Sequence, residues 1–155
     1  MEKTDQDGFS LIELLLVVAI IGIICSIAVP NLLASRRAAN EASAENSLRV
    51  IASCEETYRH SVGTDRYGDL TALGAQVLTD SVLSGGTKSG YAFTVNPDSG
   101  APQYWAYALP TTTSGAGATG NRRFAISEDG VLRADTTLTA PANEAAVRAM
   151  PPLGN

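Results

Sequence analysis

The chain has 155 residues, 45% of them hydrophobic, with 11 basic and 16 acidic side chains and a formal net charge of −5. That length leaves room for a membrane helix and one domain of roughly 120 residues, enough to bury a core of its own. The acidic balance argues against nucleic-acid binding, which normally shows a basic face, so no nucleic-acid partner is expected. Two cysteines are present, Cys25 and Cys54. On one helix they would stand roughly 43 Å apart, far beyond the about 7 Å between alpha carbons that a disulfide spans. No Cys/His cluster suggests a metal centre, and no cofactor is expected.

The first predicted element dominates the chain. Gly8-Phe9-Ser10-Leu11-Ile12-Glu13 runs on through Leu14, Leu15, Leu16, Val17 and Val18 to Val29, and from Phe9 every side chain is apolar or small except Glu13. At 1.5 Å per residue this run makes a helix of about 31 Å, enough to cross a bilayer core. A carboxylate in such a helix costs about 2.5–3.5 kcal/mol at mid-depth, so it needs a partner. Nothing else in the run is ionisable, and the partner is expected outside the chain.

These residues carry a resemblance. Gly8-Phe9-Ser10-Leu11-Ile12-Glu13 resembles the N-terminal signature of the type IV pilin superfamily, which includes the type II secretion pseudopilins. The resemblance implies cleavage by a prepilin peptidase between Gly8 and Phe9, followed by N-methylation of Phe9. It also implies that Glu13 offsets the charged N-terminal amine of a neighbouring subunit. Two opposite charges pair in lipid far more cheaply than either sits there alone. Pro30 falls where these proteins often carry a helix-interrupting proline. Gly22 is a second soft spot, and the resemblance implies that this region can lose helicity on assembly, so 22–30 is a candidate melting segment.

Other readings of the stretch fit less well. A secretory signal peptide has a basic start, a shorter apolar core and a cut on its far side. Here residues 1–8 are net acidic and the apolar run is too long. An ordinary signal anchor is the remaining alternative. Lys3 is the one basic side chain before the run, whereas Arg36 and Arg37 follow it. The positive-inside rule would therefore leave the C-terminal part in the cytoplasm. The resemblance implies the opposite, an inner-membrane protein with its head on the periplasmic side, and the expectation follows the resemblance.

Beyond Pro30, residues 31–63 read as the amphipathic half of one long helix, rich in Ala, Glu and Arg. Ala44, Leu48, Ile51, Tyr58 and Val62 recur near a 3.6-residue period, with Arg49, Glu55, Glu56 and Arg59 expected in water and Gly63 as the stop. From Thr64 to Gly90 one or two short helices are expected, with Leu70, Leu73, Val77, Leu78, Val82 and Leu83 filling the gap between helix and sheet. Strands follow. Tyr91, Phe93 and Val95 alternate with small residues up to the turn at 96–100, and Trp105, Tyr107 and Leu109 alternate with Ala106 and Ala108 up to Pro110. A Thr/Gly/Ser/Ala loop covers 111–120. Phe124 and Ile126 resume the alternation, Asp129-Gly130 makes a hairpin turn and 131–134 returns. The Pro/Ala-rich tail, 135–155, is expected to be extended or mobile, with one candidate short helix over 143–150.

Catalytic chemistry is hard to find. His60 lies near the end of the long helix, where a cation suits the dipole, and Ser53 and Ser61 beside it carry no nucleophile motif. Glu128, Asp129 and Asp135 are oxygen donors for calcium, but at the spacing of an ordinary hairpin. Arg122-Arg123 reads as a solvated pair, and the hydroxyl run Thr111-Thr112-Thr113-Ser114 as a flexible loop.

The expected fold is α+β: a long N-terminal helix packed on a small antiparallel sheet, with a globular head over 64–134. The expected function is that of a non-enzymatic subunit of a type IV pilus-like filament. It would sit in the lipid bilayer before assembly, and its partners would be other pilin subunits, the prepilin peptidase, and an inner-membrane assembly platform with its ATPase. The alternatives are a type II secretion pseudopilin, a minor pilin, or a monomeric membrane-anchored binding module that uses Tyr104, Trp105 and Tyr107 as an aromatic platform.

Overall fold

The computed structural model describes residues 9–100 and 102–154. Gly8, on one side of the expected cleavage, lies outside the described residues. The chain falls into two units, Met1–Ser35 and Arg36–Asn155, and helix α1 (Leu11–Ser61) supplies residues to both.

In the first unit α1 is aliphatic on every side. Leu11, Ile12, Leu14, Leu15, Leu16, Ile23, Ile24 and Ile27 are all exposed, and the helix is long and apolar enough to cross a membrane. Leu suits a helix, and Ile and Val give up some χ1 freedom there, but an all-round apolar helix has no solution in water and needs lipid or protein around it. Helix α1 runs unbroken through Gly22 and Pro30. Pro30 removes the hydrogen bond to the carbonyl four residues back, yet neither residue interrupts the helix in this state.

In the second unit α1 narrows to one buried stripe: Glu41, Ala44, Ser47, Leu48, Ile51 and Glu55. The stripe includes two carboxylates, and Glu55, expected in water, is fully buried. The helix stops where expected. The Gly63 amide donates to the Tyr58 carbonyl at 2.8 Å, and a side chain at Gly63 would meet the Arg66 carbonyl at 2.1 Å. Two short helices follow, each begun by an aspartate cap. Asp69 accepts from the Ala72 amide to start α2 (Leu70–Gln76), and Asp80 accepts from the Val82 and Leu83 amides to start α3 (Ser81–Ser84).

Five antiparallel strands then pair in simple sequential order: β1 (Thr87–Lys88), β2 (Tyr91–Pro97), β3 (Tyr104–Pro110), β4 (Arg123–Ser127) and β5 (Arg133–Asp135). The two-residue β1 was not expected, and β5 lies later than the predicted 131–134. Strand β2 turns Tyr91, Phe93 and Val95 inward as predicted. In β3 the phase is reversed: Tyr104, Ala106, Ala108 and Pro110 are buried and Trp105, Tyr107 and Leu109 only partly so. All five residues of β4 are buried, because both faces of the sheet are covered there.

On one face lies the main core, where Ala44, Leu48 and Ile51 of α1 and Leu73, Leu78 and Leu83 meet Tyr91, Phe93, Tyr104, Phe124 and Ile126. On the other face Val147 and Met150 pack on Ala125, Trp105 and Tyr107. The tail is therefore not extended or mobile as expected, and it carries the candidate short helix over 143–150. It forms α4 (Glu144–Arg148), capped by Asn143, whose side chain accepts from the Ala146 amide at 2.8 Å. It then returns beside β5, with Leu153 donating to the Leu132 carbonyl at 2.8 Å and Ala134 to the Pro151 carbonyl at 3.2 Å.

Candidate functional site

At its N-terminal end α1 presents Phe9, Ser10 and Glu13 together. The Phe9 side chain is 83% exposed. The Ser10 amide donates to Glu13 Oε2 at 2.9 Å, while the Glu13 amide donates back to the Ser10 carbonyl at 3.1 Å. An acid in the first turn is matched to the free amides and the positive end of the helix dipole. Glu13 therefore has a partner within its own segment, contrary to the expectation that none exists there. Among the described residues no cation pairs with this carboxylate, which remains the one ionisable side chain in an otherwise apolar run.

In the second unit, charged groups suspected of chemistry are occupied with holding loops. Arg122 donates to Glu41 Oε2 at 2.9 Å, lies 3.6 Å from Glu45 and stacks 5.1 Å over the Phe124 ring. Glu41 also accepts from the Asn121 amide at 2.8 Å. Arg37 and Asn40 of α1 donate to carbonyls at Gly115, Ala118 and Thr119, so the 111–120 loop is docked along one edge. Arg123, also expected in solvent, is buried and grips both oxygens of Asp135 at 2.8 and 2.7 Å. The supposed solvated pair is two separate clamps.

The calcium candidates each have an arginine. Asp129 is bound by Arg133 at 2.6 Å, Asp135 by Arg123, and Glu128 by Arg148. Burial would raise the Asp129 carboxyl, but hydrogen bonds from Arg133, the Val131 amide and Ser127 outweigh it and bring it down to about 2. Among the described residues no group of acidic, His or Cys side chains is arranged to hold a metal. His60 is exposed and lies 3.8 Å from Glu56. Cys25 and Cys54 are both free. The aromatic platform does not form either, since Tyr104 belongs to the core face and α4 sits over Trp105 and Tyr107. Thr111 to Ser114 are exposed.

An apolar helix with one carboxylate in its first turn, continuous in sequence with a small α+β domain whose charged groups serve as clamps, is the build of an anchored or self-associating subunit. Comparison with known proteins makes this specific. Residues 3–29 match the family described as the prokaryotic N-terminal methylation motif. The chain is 35% identical over 88 residues to the type IV wide pilus major component PilA4 of Thermus thermophilus, covering 53% of this chain and 67% of that protein. It is 37% identical over 62 residues to the type IV major pilin protein PilA of Myxococcus xanthus (40% of this chain, 27% of that one). It is 32% identical over 59 residues to the type II secretion system core protein G of Aeromonas hydrophila (38% and 41%). No solved structure matches. The chain belongs to the type IV pilin and pseudopilin superfamily, a family of structural subunits.

Proposed function

We propose that the protein is a structural subunit of a type IV pilus-like filament. In this reading the prepilin peptidase cuts between Gly8 and Phe9, and Phe9 is N-methylated. The trimmed chain sits in the inner membrane with its head on the periplasmic side, until an assembly platform and its ATPase draw it into a helical polymer on the cell surface. The observation that carries the reading is the exposed apolar surface from Phe9 to Val29, in which Glu13 is the one ionisable side chain. Lipid can cover that surface before assembly and the same helices of neighbouring subunits can cover it afterwards, with little change in the apolar environment.

Glu13 has a defined task in this scheme. Its carboxylate takes the new amine of an adjacent Phe9, so that a misregistered subunit leaves two charges unpaired in an apolar core. Gly22 and Pro30 are the points where the helix would loosen on assembly, since one lacks a side chain and the other an amide. A second reading, a type II secretion pseudopilin, is favoured by the match to core protein G.

Intact mass and N-terminal sequencing of the protein from whole cells and from sheared surface material test both readings. A chain starting at methylated Phe9 and present in the sheared fraction is the expected result. Trimmed protein kept in the envelope would favour the pseudopilin. An uncut chain would overturn both.

A further inference from the structure

Glu55 is unlike the other carboxylates of the second unit. It is fully buried, whereas Glu41, next most buried, is held by Arg122. Glu55 Oε2 accepts one hydrogen bond, from the Gly68 amide at 3.0 Å, and Oε1 has no partner. The surrounding groups give it little help. On α1 its titratable neighbours are Cys54, Glu56 and Arg59, on the following loop Tyr67 and Asp69, and on β3 Tyr104. The one cation among them, Arg59, is turned to the Tyr67 hydroxyl at 3.0 Å and to Asp65 at 3.1 Å.

The loop that Glu55 holds is under backbone strain. Thr64 and Asp65 have φ of 48° and 68°, in the left-handed region that non-glycine residues avoid. Besides the Arg59 contacts to Tyr67 and Asp65, the loop is tied by the Asp65 amide to the Arg59 carbonyl at 3.2 Å, the Tyr67 hydroxyl to Glu56 at 2.9 Å, Arg66 to the Ser99 carbonyl at 2.9 Å, and the buried Tyr67 ring. Of the loop's side-chain hydrogen bonds, the one at Gly68 is buried.

We propose that Glu55 is a proton-operated latch: as the neutral acid it holds loop 62–69 against the last turns of α1, and on ionisation it releases that loop. An ionised carboxylate there has one donor and, among the described residues, no counter-ion, and is better solvated with the loop open. Burial first, and then the charges of Glu56 and Asp69, push the carboxyl up to about 7 despite the opposing Gly68 hydrogen bond. The direction follows from the sign of that shift. The folded carboxyl binds its proton more tightly than the unfolded one, so the stabilisation is complete below about pH 4.5 and is lost as pH rises through about 7. The latch concerns the second unit and does not rest on the filament reading.

Hydrogen exchange of the Gly68 amide, measured on the full chain in detergent micelles, tests this. After correction for the base-catalysed intrinsic rate, the opening constant should rise about tenfold or more between roughly pH 5 and pH 8. In Glu55→Gln it should stay flat over the same range. Equal pH dependence in the two proteins would overturn the latch. Should Glu55→Gln fail to fold, the carboxyl carbon shift of Glu55 in the unaltered chain decides. A midpoint near 7 upholds the proposal, and one below about 5, close to a solvated glutamate, overturns it.

Discussion

The stretches Leu11–Ser35 and Arg36–Ser61 belong to one helix and follow opposite rules. The first carries its large aliphatic side chains exposed on every side. The second buries a single stripe, in which Ala44, Leu48 and Ile51 alternate with Ser47 and the two carboxylates Glu41 and Glu55. Leucine content therefore says little about where this protein's own core lies. Period decides it: a stripe with polar flanks packs on a domain, and an unbroken apolar surface requires another solvent.

Glu13→Ala should break the comparison most visibly. Filament yield should fall by about an order of magnitude or more, since the remaining amine is left unpaired in an apolar core, while thermal unfolding of the head stays as it was. Normal yield in that mutant would sink the pairing scheme. Leu48→Ala, in the buried stripe, should cost about 2–5 kcal/mol of head stability by chemical denaturation. Leu15→Ala, the same change on the exposed stretch, should stay within about 0.5 kcal/mol; equal shifts would erase the distinction.

Smaller effects sharpen the picture of the head. Arg123→Ala strips Asp135 of both its charged hydrogen bonds and frees the Thr139 carbonyl, and should cost about 1.5–3 kcal/mol. Stability against pH should have two flanks of opposite origin. Asp129 is depressed from 3.8 to about 2, so its contribution is present above about pH 4 and is lost as pH falls through about 2. Glu55 is raised, and its contribution is lost on the alkaline side. Unfolding midpoints should therefore peak near pH 4 to 5, and Asp129→Asn should flatten only the acid flank.

The long helix, the β2 alternation, the antiparallel sheet and the membrane-length run could all be read from period and composition. The misreadings had physical causes. Glu41 and Glu55 continue the spacing of Ala44, Leu48 and Ile51, so the period placed them inside while their residue type argued for water. In β3 the alternation was plain, but with both faces covered it could not say which face was the main core. Trp105 and Tyr107 are served by α4, whose role depends on a contact between distant parts of the chain. Arg122 and Arg123 likewise find Glu41 and Asp135 through folding, which no local pattern announces. At the candidate assembly site the apolar run and its single acid were plain in the sequence, whereas the bond from the Ser10 amide to Glu13 needed coordinates.

The tail beside β5 has a consequence for crowding. A sheet ending in an uncovered strand offers a row of free amides and carbonyls to any identical sheet nearby. Here Pro151 and Pro152 lie along that margin, Pro152 bridged to Arg133, and neither has an amide to donate outward. That margin of the head is thus guarded against joining an identical sheet edge to edge, a protection that counts most if the chain packs among many copies of itself.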